Sequence, residues 1–529
     1  MNRTPDIDAL TAQELRALVV ELLERVGELS RVVMEHRKEI ARLKRLKGRP
    51  DIKPSTPSGM EKASRSTGEG KPKRRGDGPK TAKRTIHEDR VIEAAVPPGS
   101  RFKSYEDFVV QDLVLRPHAI RYRRERWLTP SGESVVAPFP TGVDGHFGPE
   151  LRRYILVQYH QGQVTVPRLL DQLRAIGIDI SKRQLMRLLI ANQDDFLDEA
   201  QDVLRAGLAT AGWISVDDTG ARHKGKNGVC TQIGNEIFTW FKTTGSKSRV
   251  NFLECLRAGH SDYVINEEAL AYMAGHALAG PLIAFLAAHP ARHFADETAW
   301  SAHLASLGIR DLDVTPNPAR VATEGALWGS IKEHGFLSQA VIVSDDTGQF
   351  NIGTHALCWI HAERLVHKLD AFPESDRVVK ERVRGLIWWF YRDLLAYQRE
   401  PTPRRKAELK ARFDRIFKRR TGFVMLDRLL KRLLANKPEL LVVLDRPDIP
   451  LHTNGSERDI RCHVTKRKIS GGTRSDPGRD CRDAFLGLAK TCTKLGITFW
   501  DYIGARLAVP HHATVAMLPD IIRSRAVPA

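Results

Sequence analysis

At 529 residues the chain is too long for one hydrophobic core and calls for three or more units. With 42% hydrophobic and 28% charged residues it has the composition of a globular protein, which excludes a fibrous or wholly disordered chain. Lysine plus arginine exceeds aspartate plus glutamate by 83 to 64, and the resulting formal charge of +19 points to a polyanionic partner.

No apolar run reaches membrane-spanning length, and the N-terminus opens polar and acidic rather than as a signal peptide. Six scattered cysteines imply reduced thiols. Together these features predict a cytoplasmic, nucleoid-associated protein with no membrane partner.

Thr11-Ala-Gln-Glu14 reads as a capping box opening a helix. Leu15, Val19, Leu22, Val26, Leu29, Val33, His36, Ile40 and Leu43 then alternate steps of four and three, which predicts a coiled-coil helix over residues 1–48 and a homo-oligomer. Residues 49–86 form a linker broken by Gly and Pro. Its Lys71, Lys73, Arg74 and Arg75 are candidates for sequence-independent attraction to DNA phosphates.

From 87 to 146 the pattern turns to β, with Phe108-Val-Val110, Leu113-Val-Leu115, Ile120 to Trp127 and Val135-Val-Ala137 as strands and Pro130-Ser-Gly132 as a turn. The segment contains no cysteine, so a small β module without zinc is expected. Residues 147–208 read as helical. Val166, Leu169, Leu170 and Leu173 form an apolar face, Gly177 breaks the chain, and Ser181 can cap a second helix bearing Lys182, Arg183 and Arg187. That succession is the shape of a helix-turn-helix, with these three cations as DNA-binding candidates.

An α/β unit is expected over 209–529. Trp213-Ile-Ser-Val-Asp-Asp-Thr-Gly220 and Val341-Ile-Val-Ser-Asp-Asp-Thr-Gly348 each place aspartates straight after a buried-strand pattern. Val229–Ile233 and Glu236–Lys242 supply further strands around a Gly234-Asn235 turn, and Ser248 can cap the helix that follows. A helical insertion is expected at about 361–448, with Val379 to Tyr397 and Arg404 to Leu434 as its clearest helices. Its Trp388, Trp389 and Phe390 read as core rather than as a base-stacking surface. Asn454-Gly-Ser-Glu-Arg-Asp-Ile-Arg461 then delivers Glu457, followed by Arg458, Arg461, Lys466, Arg467 and Lys468, five cations suited to holding a DNA backbone. Gly471-Gly472 suggests a tight turn or a close backbone approach.

Two aspartates at strand ends and a glutamate from a helix make the donor set of a paired divalent-cation site, since Mg²⁺ takes oxygen ligands and two such ions can activate one oxygen while stabilising another. Both aspartates are doubled, so Asp218 and Asp346 rival Asp217 and Asp345. Only one of each pair should reach the ions, because successive strand side chains face opposite ways. Cys358-x-x-His361 has zinc-ligand spacing but no second pair, and no His-Glu-x-x-His, Walker loop or Gly-x-Ser-x-Gly elbow appears.

The ordered set Asp217-Asp-Thr219, Ser344-Asp-Asp346 with Cys358-Trp-Ile-His361-Ala-Glu-Arg364, Asn454-x-x-Glu457-Arg458, Lys466-Arg-Lys-Ile-Ser-Gly-Gly472 and Gly496-Ile-Thr-Phe-Trp-Asp-Tyr502 resembles the insertion-sequence-66 family of DDE transposases. The resemblance implies an α+β multidomain chain with a ribonuclease-H-like catalytic domain and a helical insertion. It implies catalytic, metal-holding Asp217, Asp345 and Glu457 with two Mg²⁺ (or Mn²⁺) ions. Double-stranded DNA, as element ends and target, would be the partner, with small accessory proteins of the element as further ones. The expected reaction cleaves element ends and joins the freed 3′-hydroxyls to target DNA. A catalytically silent DNA-binding derivative and a structure-selective nuclease of the same fold are the alternatives.

Overall fold

The computed structural model describes Thr11, Arg25, Glu28, residues 85–140 and residues 145–526. The 1–48 seam and the 49–84 arm with Lys71, Lys73, Arg74 and Arg75 therefore lie outside the described residues, those three positions apart. The chain divides into two units, Met1–Leu113 and Val114–Ala529. In the first, residues 85–113 carry no helix or strand and are almost wholly exposed.

The expected β module is reduced to a hairpin in the second unit, β1 (Arg126–Leu128) and β2 (Ser134–Val136), joined through the Pro130-Ser-Gly132 turn. Phe108–Val110, Leu113–Leu115 and Ile120–Glu125 form no strands. Their β-branched and aromatic residues meet no partner strand, and propensity without a ladder does not make a sheet.

Four helices follow: α1 (Pro149–Leu156), α2 (Val166–Ala175), α3 (Lys182–Ile190) and α4 (Asp194–Thr210). Leu169, Leu170 and Leu173 of α2 are buried, as the apolar spacing requires. Ser181 caps α3 in a reciprocal capping box with Gln184. Gly177 sits between the helices at φ +88°, a conformation that glycine adopts without steric cost.

The central sheet has the order β5-β4-β3-β8-β9. β3 (Trp213–His223), β4 (Lys226–Gly234) and β5 (Thr239–Thr244) are antiparallel, while β8 (Val341–Ser344) pairs parallel to β3 and β9 (Thr354–Leu357) parallel to β8. β5 starts later than the apolar pattern suggests, because the Asn235 carboxamide accepts from the backbone of Ile237 and Phe238 and holds a turn. Between β5 and β8 run α5 (Arg249–Leu256), capped by Ser248, then β6 (Tyr263–Val264), α6 (Glu267–Gly275), α7 (Gly280–Ala288), β7 (His293–Phe294), α8 (Glu297–Ser306) and α9 (Pro318–Glu333).

The insertion consists of α10 (Trp359–His367), α11 (Glu374–Arg399), α12 (Pro403–Phe417), α13 (Val424–Ala435) and the short α14 (Lys437–Leu440). Its Trp359, Phe390, Phe413, Phe417 and Leu430 form one core with Val341 and Val343 of β8 and Ala356 and Leu357 of β9. Only one of the three expected aromatics joins it: Phe390 is 0% exposed, Trp388 38% and Trp389 62%. Consecutive residues project about 100° apart, and Phe390 alone shares the stripe of Val383, Ile387, Leu394 and Tyr397.

Two long helices, α15 (Asn454–Ser470) and α16 (Asp476–Leu495), close over the sheet, followed by α17 (Phe499–Arg506) and α18 (Leu518–Arg525). The open edge of β5 is covered by α16, whose Thr491 hydroxyl and Asp483 carboxylate accept from the backbone N–H groups of Thr239 and Thr243 at 3.0 and 2.8 Å. Between the last two long helices, a Cβ on Gly472 would lie 2.5 Å from the Arg222 carbonyl oxygen, so the expected close approach is present. Among the described residues no helix is long and apolar enough to cross a membrane, and all six cysteines are free.

Phe390→Ala should cost about 3–5 kcal/mol through the cavity it leaves, whereas Trp389→Ala should stay within about 0.5 kcal/mol. Urea denaturation of the two variants checks this, and equal losses would place Trp389 in the core after all.

Candidate active site

The β3–β8 pairing sets Trp213 beside Val341, Ile214 beside Ile342 and Ser215 beside Val343. Asp217 follows Ser215 by two residues within β3, Asp345 comes directly after Ser344 at the end of β8, and the two carboxyl groups are close enough to act on one another. Both carboxyl groups are half-buried. Burial, then the neighbouring Asp345 and Asp218, push Asp217 up to about 6 against the backbone N–H of Asp218 that holds it down. Burial also raises Asp345, opposed by His361 and Lys247.

The rival aspartates are each neutralised by a cation. Lys247 lies 2.9 Å from Asp218, which also accepts from the Gln349 amide at 2.6 Å. Arg432 lies 2.5 Å from Asp346. Among the described residues neither Asp217 nor Asp345 has such an ion pair.

Glu457 arrives from the first turn of α15, whose position on the sheet is fixed by buried polar contacts. The Ser456 and Ser215 hydroxyls meet at 2.5 Å, and Asp459 accepts from the Thr239 hydroxyl at 2.7 Å and pairs with Lys494 at 2.6 Å. Ser215 is two residues from Asp217 and on the same face of β3, so the Ser456 contact draws the Glu457 turn toward that face. Glu457 itself pairs with Arg364 at 3.3 Å and with His361 at 3.5 Å. His361 also acts electrostatically on both Asp217 and Asp345, and so stands among all three carboxylates. Cys358 beside it raises the His361 pKa against the effect of burial.

A cavity of about 190 Å³ opens beside Asp345, lined by Asp346, Thr347, Cys358, His361, Arg364 and Arg432 among others. Asp217 and Glu457 are not in its wall. Nor do the three candidate carboxylates form a cluster tight enough for one ion to touch all three. Among the described residues the triplets that do are Cys230–His463–Asp483 and His260–Asp262–His334.

Of the basic residues after Glu457, Arg458, Arg461 and Lys468 are exposed on one face of α15 and Arg467 is half-buried against Gly220. Lys466 is a correction. It is buried, donates to the Tyr159 carbonyl at 2.8 Å and lies 3.5 Å from the centre of that ring, and burial lowers its pKa to about 8. Helical spacing puts it on the inward stripe of Asp459 and His463, so it anchors α15 instead of meeting DNA. On α3, Lys182, Arg183 and Arg187 are all exposed. His361, Arg364, Lys247 and Gln349 were absent from the site read from sequence. Only the first two carried a signal, as part of the Cys358–Arg364 motif.

Residues 144–256 and 329–480 match the family described as "Transposase IS66 family". The stretch between them, unmatched, contains α6, α7, α8 and the start of α9. A protein of Sinorhizobium fredii (strain NBRC 101917 / NGR234), named "Uncharacterized protein y4jO", is 51% identical over 326 residues, which is 61% of this chain and 100% of the relative.

An aspartate raised from 3.8 to about 6 in the folded state is protonated there while the unfolded chain has already lost its proton. Its contribution to stability is therefore lost as pH climbs from about 4 to about 6. In the absence of divalent cations, Asp217→Asn should match the wild type near pH 4 and exceed it by about 2 kcal/mol above pH 6, the shift being discounted for partial exposure. Denaturant midpoints across that window check it, and parallel curves would show that Asp217 is not under strain.

Proposed function

The chain belongs to the IS66 family of transposases, and from that premise we propose that it cleaves the ends of its element and joins their 3′-hydroxyls to target DNA with Asp217, Asp345 and Glu457 as the catalytic carboxylates. The observation that carries this reading is the pair of half-buried aspartates, one inside β3 and one just past the end of β8, that form no ion pair among the described residues, with Asp218 and Asp346 already paired. Such a pair, with a glutamate close by, suits hard divalent cations that bind carboxylate oxygens. Because the three carboxylates are spread beyond the reach of one ion, two ions suit them better than one.

Bound there, two Mg²⁺ or Mn²⁺ ions would neutralise phosphate charge and make the attacking oxygen more acidic. The chain's own groups do the rest. Arg364 and His361 hold the Glu457 carboxylate, and Asp346 and Asp218 are turned aside by Arg432 and Lys247. Arg458, Arg461 and Lys468 present a basic face beside the glutamate for the DNA backbone. The sheet order, three antiparallel strands followed by two parallel ones, supports the ribonuclease-H-like reading. The α2–α3 pair offers the helix-turn-helix, with Lys182, Arg183 and Arg187 as its base-reading face. Joining two ends calls for at least two chains, and the Leu15–Leu43 seam is the surface we assign to that contact.

Asp217→Asn, Asp345→Asn and Glu457→Gln should each abolish Mg²⁺-dependent cleavage of an end-bearing duplex and leave DNA binding within about twofold, since the carboxylates of a metal site act as a unit. Full cleavage by any of them refutes the assignment, and intact binding without cleavage by the wild type would favour the silent derivative. Lys182, Arg183 and Arg187 changed to Ala should each weaken binding to end sequences by about 1–3 kcal/mol while sparing random duplexes. Gel-shift titrations on both DNAs decide it.

A further inference from the structure

The segment 114–128, Val-Leu-Arg-Pro-His-Ala-Ile-Arg-Tyr-Arg-Arg-Glu-Arg-Trp-Leu, holds five arginines against one glutamate. Up to Glu125 it is neither helix nor strand, and every one of these residues is exposed. It is nonetheless held at two points. Pro117 lies over the turn between α2 and α3, where a Cβ on Gly177 would be 3.4 Å from its Cγ. At the other end the Arg124 guanidinium donates to the Ala137 carbonyl and sits 4.3 Å from the centre of the Phe139 ring, while the Ala137 N–H donates to the Glu125 carbonyl at 2.9 Å.

Between and beside those anchors, the side chains of Arg116, Arg121, Arg123 and Arg126 have no carboxylate or hydrogen-bond partner among the described residues. A solvated loop would normally pair some of its charges or interrupt them, and here the lone acid, Glu125, accepts from the Trp127 indole instead. The anchoring at Gly177 places this chain next to the end of the turn from which Lys182 and Arg183 of α3 project. The ten steps from Arg116 to Arg126 span at most roughly 33–36 Å if fully extended, close to one turn of B-DNA at about 34 Å.

We propose that residues 116–126 form a basic strap that lies along the phosphate backbone of duplex DNA beside the α2–α3 unit, clamping the duplex that α3 reads. The inference rests on the reading of the chain as a DNA-handling enzyme, and adds to it a DNA-facing surface in place of the expected β module. The strap carries no sequence information. Arginine guanidinium groups bind phosphates in forked pairs, and an extended backbone follows a groove edge without the fixed spacing of a helix.

The test uses the full chain with Arg116, Arg121, Arg123 and Arg126 all changed to Ala. Binding is measured to an end-bearing and a random duplex across a salt series. The variant should bind both at least tenfold more weakly at about 0.15 M salt, and its dependence of log K on log salt should flatten by about 3.6 units, at about 0.9 for each of the four phosphates no longer neutralised. A control that removes the same charge from the exposed Lys410, Arg415, Arg419 and Arg420 should change the slope by less than about one unit. Because the four strap side chains are exposed and unpaired, the thermal midpoint should not move.

An unchanged slope, a loss confined to the end sequence, or an equal loss in the control would each overturn the strap while leaving the transposase reading intact. Failure of the wild type to bind or cut any duplex would instead overturn that reading and the strap with it.

Discussion

Two carboxylates, one inside β3 and one just past the end of the parallel β8, repel one another, and the β3–β8 pairing imposes that repulsion whatever else the chain does. The register that aligns Ser215 with Val343 cannot slip by one residue without turning Ile214 and Ile342, both fully buried, toward the wrong layer. Hydrophobic burial in the first half of β3 and along β8 thus sets where the aspartates stand: Asp217 lies inside β3, not at its end as the apolar pattern suggests, and Asp345 lies just past the end of β8. The strain appears as the raised Asp217 and Asp345; His361 and, at Asp345, Lys247 oppose it without forming an ion pair with either.

The third carboxylate depends on a different kind of interaction. α15 is polar along most of its length, so apolar contact alone would leave its rotation and position loosely set. The Ser215–Ser456, Thr239–Asp459–Lys494 and Tyr159–Lys466 contacts set them instead. Each is buried, and misplacing the helix would strand several polar groups without partners at about 1–3 kcal/mol apiece. Buried polar pairs specify an alignment more sharply than interchangeable apolar ones, and here they fix where Glu457 stands and which side of α15 turns its arginines outward.

Much of this was legible in the residues. The apolar runs ending in Asp-Asp-Thr mark β3 and β8, the Ser181–Gln184 box marks the start of α3, and Gly472 marks a close approach that the Arg222 carbonyl confirms. What sequence missed follows from contacts between distant segments. Lys466 looks like its basic neighbours until the rotation of α15 is known. Trp389 looks like core until the α11 stripe is assigned to Phe390. The apolar residues of 108–125 suggest strands, but a strand exists only where another one pairs with it. The different surroundings of Asp217 and Asp218 could not be read from sequence, because Asp218 is paired by Lys247, 29 residues away, and by Gln349, 131 residues away.

The helical insertion is bound into the same electrostatic balance. α10 begins directly after β9, and its Cys358 cap position, His361 and Arg364 lie against the acidic groups within two turns. α13, some 86 residues beyond Asp346, returns Arg432 to that carboxylate. The insertion therefore supplies the cations that occupy Glu457 and Asp346, leaving Asp217 and Asp345 as the acidic positions without one. An arginine that already holds Glu457 sets its orientation before any other positive charge arrives, and the helix that bears this arginine is packed on Phe390 and Phe413 through Trp359. Packing inside the insertion and charge placement at the carboxylates are in this way one problem, solved by a single helix that belongs to both.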